Sequence, residues 1–306
     1  MIERELALTG VDNDNDDVGG EAPALAELLA CPDDGGRIVA PSPRMLQCAQ
    51  CGREYPIEEG VARMLSPAAE IGDLAAQEMR ARDAQAPDYD RRIPRGVQLV
   101  ETEAIMRRLR LARGQVVLDA GAGTGKLTHA AAAAGATVVA VDFSVQSLLV
   151  NRDRARPDRR IHFVAADIRR LPVRPGSFDR VISGQVIEHL PTHEDREQAV
   201  ALMSRALRPG GWIVLTAYNY NLGARLAGQR EGAHHGGIFF HRFTPSELRA
   251  MFAGLEIDEL CGIRNLPARV ADAPWRTVRW IDHAAERLPC SRLTGDLLLV
   301  AGRKPL

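Results

Sequence analysis

The sequence predicts an α/β fold, a mostly parallel sheet with helices on both faces, preceded by a small β-rich module. Three observations predict it. From about residue 98 onward, short β-branched strands alternate with helical spacings, the pattern that builds a parallel sheet covered on both sides. A glycine-rich turn at residues 121–125 stands between one such strand and an Ala-rich helix, where open α/β sheets hold nucleotide-sized ligands. Three of the five cysteines fall within residues 23–65, ahead of the alternating region.

Taken in order, residues 99–111 carry apolar side chains at the spacing of an amphipathic helix. Residues 115–119 form the next strand, and the glycine turn leads from it into a helix. Further strands are expected at 137–142, 161–165, 178–183 and 212–217, with helices at 145–155 and 194–207. In the second of these helices Ala199, Leu202, Met203 and Ala206 share one face, and Arg208-Pro-Gly-Gly211 ends it. The tail adds a Pro-initiated helix at 245–253, a strand at 255–260, a helix near 275–287 and a last strand at 296–301. Residues 1–22 are polar and acidic and are expected to be disordered. Residues 66–94 read as a linker running into a helix, and residues 95–306 as the main domain.

At 306 residues the chain has room for one large domain and an appendage. Its 45% hydrophobic and 26% charged residues are those of an ordinary soluble protein. A net charge of −1 argues against a broad basic surface that would hold nucleic acid. The charge is uneven: the first 70 residues carry 14 acidic and 5 basic side chains, the remainder 26 and 34. The N-terminus lacks the basic and apolar regions of a signal peptide. The longest apolar run, 130–141, falls short of the ~20 residues a membrane helix needs. Five irregularly spaced cysteines do not suggest a secreted disulfide framework, so a cytoplasmic setting is expected.

Within the glycine turn, Asp119-Ala-Gly121-Ala-Gly123-Thr-Gly125, two details narrow the ligand. Lys126 stands where a dinucleotide-binding turn would want its third small residue. Asp119, two residues before the first glycine, would repel a pyrophosphate. It suits the sulfonium and amino group of S-adenosylmethionine. Asp142 ends the next strand, 23 residues on, where an acid can accept hydrogen bonds from both ribose hydroxyls. Asp167, after the third strand, is placed to meet an adenine amino group, while Asp179 reads as structural.

The motifs VVLDAGAGTGKLT, VVAVDFS, FVAADIRRLP, FDRVISGQVIEHL and LRPGGWIVLT, over roughly residues 95–218, resemble the class I S-adenosylmethionine-dependent methyltransferases in order and spacing. The resemblance implies a Rossmann-like sheet of seven strands, the last antiparallel. It also implies that Asp119, Gly121 and Gly123 hold the methionine portion, Asp142 the ribose, and Asp167 with Ile168 the adenine. Gln185 would line the methionine side. The Glu188-His189 pair resembles the small-molecule group typified by quinone-biosynthesis enzymes, so the implied acceptor is a small molecule, methylated on oxygen before nitrogen or carbon. Two rival readings are an rRNA or tRNA base methyltransferase and a non-catalytic cofactor-binding partner.

His189, Tyr218 and His241 are the candidate catalytic residues, since an imidazole near its ordinary pKa can take a proton from a hydroxyl. Glu188 and His189 can equally begin a helix and pack against the pocket. In the family, the region after the fifth strand forms part of the lid over the acceptor. Asn219, His234, His235 and Arg242 complete the polar groups there. Arg242 is suited to an acidic acceptor or to a surface role.

Residues 23–65 resemble a zinc-ribbon module of the methyltransferase-activator type. Cys48 and Cys51 form one intact knuckle, and in the other Cys31 is followed by Asp34 where a second cysteine would stand. Tetrahedral zinc needs four ligands, and a carboxylate can be one of them. A structural Cys31–Asp34–Cys48–Cys51 zinc site, a metal-free ribbon and a site completed by another residue all remain open here.

Overall fold

A computed structural model describes residues 21–65, 73–234, 236–265 and 275–306. Residues 1–20 of the segment expected to be disordered, residues 66–72 of the linker, and His235 lie outside the described residues. The front module comprises α1 (Glu21–Ala26), β1 (Ile38–Ser42), β2 (Met45–Cys48), β3 (Glu54–Glu58) and β4 (Val61–Arg63). Helices α2 (Asp73–Gln85), α3 (Tyr89–Arg92) and α4 (Arg95–Leu109) follow. The alternating region runs β5 (Val116–Ala120), α5 (Lys126–Ala133), β6 (Thr137–Asp142), α6 (Val145–Asp153), β7 (Arg160–Ala165), β8 (Phe178–Gly184), α7 (His193–Ala206) and β9 (Leu207–Tyr218). The last part holds α8 (Leu222–Leu226), the hairpin β10 (Glu231–Ala233) and β11 (Phe239–His241), α9 (Pro245–Ala250), β12 (Glu256–Ile263), α10 (Trp275–Glu286), α11 (Ser291–Thr294) and β13 (Leu297–Arg303).

Seven strands lie in the order β7-β6-β5-β8-β9-β13-β12. The first five are parallel, and β13 runs antiparallel to both β9 and β12. This is the arrangement the resemblance implies, but the continuous sheet is eleven strands wide. Strand β4 pairs in parallel with β7, Ala62 opposite Val164, and β3, β2 and β1 continue outward. The physical reason is the edge: without β4, β7 would present a row of unpaired N–H and C=O groups and a flank of the core. The ladder extends one step further, with Met64 N donating to Ala165 O at 2.8 Å. Strand β9 also starts earlier than expected. Leu207 pairs with Phe178, and a bulge absorbs the residues between it and Trp212, which pairs with Arg180.

The central strands read as near-continuous apolar runs and are buried on both faces, as parallel strands must be. One core cluster takes in Leu29, Leu46, Tyr55 and Met64 of the module together with Leu118, Val139 and Val164 of the sheet. Among the described residues no helix is long and apolar enough to cross a membrane. Because module and body share one core, urea should unfold them in a single transition. Leu29→Ala should lower the stability of both by about 2–5 kcal/mol. Two resolved transitions, only one of them moved by the substitution, would contradict this.

Candidate active site and cysteine cluster

The parallel strands β5 to β9 point their carboxyl ends the same way, so the turns that follow them converge, as ligand crevices do in open α/β sheets. After β5 the chain reverses at Gly121, which has φ +81°. A Cβ there would stand 2.2 Å from Val186 Cγ2, so only glycine fits between the turn and the segment after β8. Gly121 N and Ala122 N both donate to Val141 O, at 2.8 and 2.9 Å, tying the turn to the neighbouring strand. Asp142, at the end of β6, accepts from Gly123 N and Ser144 N, each at 2.8 Å.

These turns wall a cavity of about 760 Å³ that Gly121, Gly123, Asp142, Asp167, Ile168 and Gln185 all line. Asp119 sits under the turn and does not line it. Its Oδ2 accepts from Thr128 Oγ1 at 2.6 Å, and its Oδ1 is buried without a hydrogen-bond partner. Burial, with Asp142 nearby, pushes the Asp119 carboxyl up to about 7. Asp142 is raised for the same reason, burial, against the two backbone N–H bonds that lower it. Asp167 lines the cavity with its carboxylate committed to Arg169, which reaches Oδ2 through Nε at 2.9 Å and through Nη2 at 2.6 Å. Asp179 keeps to its structural place, accepting from Val116 N at 2.8 Å and Arg208 Nη1 at 2.7 Å.

Glu101, on α4, is a buried wall residue that the sequence reading missed. It accepts from Lys126 Nζ at 2.5 Å, Gln185 Nε2 at 2.6 Å and Thr216 Oγ1 at 2.8 Å. Lys126 is the leading favourable contact that holds its carboxyl low against burial. A sequence signal existed: Glu101 falls on the apolar stripe of its helix with Val97, Ala104 and Ile105, where a charge is unexpected. Arg82 and Glu78 on α2 were missed because that stretch read as linker; they line the same cavity, 3.5 Å apart. Helix α2 is held against the site by Asp83, which accepts from Ser144 Oγ at 2.6 Å.

On the same cavity wall His189 and Tyr218 stand together, ring centroids 5.8 Å apart, with His234 within 6.0 Å of both. His189 Nδ1 lies 2.7 Å from Phe239 O. A carbonyl only accepts, so Nδ1 carries the proton and Nε2 keeps its lone pair. Burial first, then the Arg82 charge, hold His189 well below the ordinary histidine range. The Tyr218 hydroxyl is raised by burial. His241 is not a lining residue: it faces Glu231 across the β10–β11 hairpin, Nδ1 to Oε1 2.7 Å. Glu188 is fully buried away from the wall, both oxygens without hydrogen-bond partners, and burial pushes its carboxyl up to about 8.

In the module, one ligand atom from each of Cys31, Asp34, Cys48 and Cys51 lies within 4.8 Å of the others. Cys31 Sγ and Cys51 Sγ are 3.8 Å apart, close to the ~3.8 Å edge of a tetrahedron with Zn–S bonds of about 2.3 Å. Cys48 Sγ is 3.5 Å from Asp34 Oδ1, and the N–H groups of Gln50 and Cys51 point at Cys48 Sγ, each at 3.4 Å. Gly36 permits this closeness, since a Cβ there would meet Cys48 Sγ at 2.7 Å. The donor set and its spacing fit zinc. Cys261 is buried elsewhere and Cys290 is exposed.

A family model described as a methyltransferase domain matches residues 118–215. Methyltransferase GfsG of Streptomyces halstedii is 39% identical over 118 residues, 37% of this chain and 41% of that one. The ubiquinone biosynthesis O-methyltransferase of Thiobacillus denitrificans is 32% identical over 169 residues, 50% of this chain and 70% of that one. The chain thus spans less than half the length of the first relative and just over two thirds of the second. Among solved structures, one from the complex of the Haloferax volcanii Trm112 methyltransferase activator with a methyltransferase aligns with a TM-score of 0.56. It covers 74% of this chain and 98% of that chain at 21% identity, a likeness of fold.

The buried Glu188 carries a testable sign. Its folded pKa of about 8 lies above the unfolded value of about 4.3, so between these pH values the folded state holds a proton that the unfolded state has lost. Its contribution is fully present below pH ~4.3 and declines as pH rises to ~8. In Glu188→Gln, the fall in unfolding free energy from pH 5 to pH 8 should become shallower, read by urea titration at each pH. An unchanged slope would contradict the burial argument.

Proposed function

Because the chain belongs to the class I S-adenosylmethionine-dependent methyltransferases, we propose that it methylates an oxygen of a small-molecule acceptor. The observation that carries this reading is His189: its Nδ1 is bound to Phe239 O, and its ring, with Tyr218, lines the same cavity as Asp142 and Glu101. The residues fit the donor. Two buried carboxylates on the wall, Asp142 and Glu101, suit a ligand bearing ribose hydroxyls and a positive charge. Asp119, with one uncommitted buried oxygen beneath the turn, adds negative potential behind Gly121. When bound, S-adenosylmethionine supplies a methyl group already activated by its sulfonium.

The protein's residues divide the remaining work. Asp142 receives the ribose, Ile168 and Asp167 border the adenine side, and Glu101 with Gln185 and Lys126 faces the amino-acid end. His189 Nε2 would take the proton of the acceptor hydroxyl as its oxygen receives the methyl group, the sulfonium S–C bond breaking to leave neutral S-adenosylhomocysteine, and Tyr218 would pack beside the reacting group. A base matters for oxygen because a phenol-like hydroxyl, with a pKa of about 10, is mostly protonated at pH 7. In the front module, zinc held by Cys31, Asp34, Cys48 and Cys51 would pin the knuckles that carry β1 to β4 onto β7, a structural role suited to a closed site.

Calorimetry separates these assignments. Asp142→Ala should weaken both S-adenosylhomocysteine and 5′-methylthioadenosine at least tenfold. Glu101→Gln should weaken only the first, because the second lacks the amino-acid end; equal loss of both would remove Glu101 from that role. His189→Gln should lower the rate of S-adenosylhomocysteine formation from phenolic acceptors by about 10²–10⁴ with the affinity for S-adenosylhomocysteine within twofold. In wild type the acid limb of that rate should lie below pH ~6.5, because burial lowers the His189 pKa from its ordinary value. Elemental analysis should find near one equivalent of zinc, lost in Asp34→Ala; less than about a tenth of an equivalent in wild type would rule the metal out.

A further inference from the structure

We infer that the acceptor is a flat anion, its carboxylate gripped by Arg82 and Arg242 beside the ring cluster of His189, Tyr218, His234 and Phe240. The inference rests on the methyltransferase reading above and adds the charge and shape of the substrate.

The argument is an audit of charges around the cavity. Five cations line it: Arg82, Lys126, Arg169, Arg242 and Arg264. Lys126 is spent on Glu101 and Arg169 on Asp167. Arg264 faces Asp296, Nη2 to Oδ2 3.9 Å. Arg82 is different. It is largely buried yet meets its carboxylate, Glu78, at only one contact of 3.5 Å. Glu78 is itself a weak counter-charge, since burial pushes its carboxyl up to about 7. Arg242 has no carboxylate within 4.0 Å among the described residues. Its Nη1 donates to Gln229 O at 2.6 Å, and its guanidinium stands 4.5 Å from the Phe240 ring centroid. A guanidinium offers five donors in a planar fork, so both arginines retain donors for a ligand.

Both guanidiniums line the cavity that His189, Tyr218 and His234 also line. The Arg82 charge contributes to lowering both His189 and His234, and the Arg242 charge contributes at His234. Rings stand beside Arg242: next to its partner Phe240, His234 has its centroid 4.6 Å away at 31°, and Tyr218 lies 6.0 Å from Phe240. Burial opposes protonation of both histidines, the rings present flat faces, and the carboxylates that act on these cations are Glu78 and Asp142 at Arg82 and Asp296 at Arg264, which leaves Arg242 without one within 4.0 Å among the described residues. A planar molecule with a carboxylate fits that surface. An uncharged one would leave the Arg242 guanidinium on the Phe240 ring without a counter-charge. Once the carboxylate is held, a neighbouring hydroxyl is directed toward His189, which supplies the base.

The test uses the full chain saturated with S-adenosylhomocysteine and titrated with 2-hydroxybenzoate and its uncharged isostere 2-hydroxybenzamide. Wild type should bind the benzoate at least tenfold more tightly than the amide. Arg82→Met and Arg242→Met should each cut benzoate affinity at least tenfold, with amide and S-adenosylhomocysteine affinities within twofold. Two substitutions on separate elements guard against one that simply fails to fold. No preference for the anion in wild type overturns the inference, as does Arg82→Met weakening S-adenosylhomocysteine while sparing 5′-methylthioadenosine, which would assign Arg82 to the donor's own carboxylate. Failure of wild type to bind S-adenosylhomocysteine at all would instead sink the underlying methyltransferase reading.

Discussion

Much of this structure depends on the hydrogen bond by which Gly123 N donates to the Asp142 carboxylate at 2.8 Å. With the bonds from Gly121 N and Ala122 N to Val141 O, it ties the turn after β5 to the end of the adjacent parallel strand β6. The turn must come tight against its neighbours for the bond to form, which is why Gly121 lies where a Cβ would collide with Val186. Asp142 is thereby buried, oriented and exposed to the cavity on one side. A carboxylate desolvated in this way is costly unless a ligand with donors or positive charge completes its surroundings. The same turn covers Asp119, so negative potential accumulates under and beside the glycines.

From that constraint the cavity acquires a polarity. Buried carboxylates concentrate at the strand ends, while the segments after β8 and β9 and the β10–β11 hairpin bring arginines and neutral histidines to the other side. Several of these charges pair across the wall, Lys126 with Glu101, Arg169 with Asp167 and Arg82 with Glu78. His189 stays uncharged, because its proton on Nδ1 is committed to the Phe239 carbonyl and burial opposes a second.

The front module reaches the site through the sheet. Strand β4 completes the hydrogen bonding of β7, whose far end leads to Asp167 and Ile168. Cys31 and Cys48 are themselves part of the core cluster shared with Leu118 and Val139. Whatever fixes the knuckle geometry therefore bears on the edge of the sheet that leads to Asp167 and Ile168.

The order of the elements, the glycine turn and the positions of Asp142, Asp167 and Gln185 on the cavity wall were legible in the sequence. Local pattern decides these: the strands are short apolar runs, and a turn between strand and helix has few ways to be built. Tertiary structure alone decided the rest. That Glu101 outranks Asp119 on the wall depends on how α4 crosses the sheet, which brings residues 101 and 185 together. That His234 joins His189 and Tyr218 while His241 turns away depends on the pairing register of a three-residue hairpin. That the module becomes four more strands of one sheet depends on the unsatisfied edge of β7. Each is a contact between segments far apart in the chain, set by which surfaces are left to be buried or hydrogen-bonded, and periodicity along one segment carries no record of it.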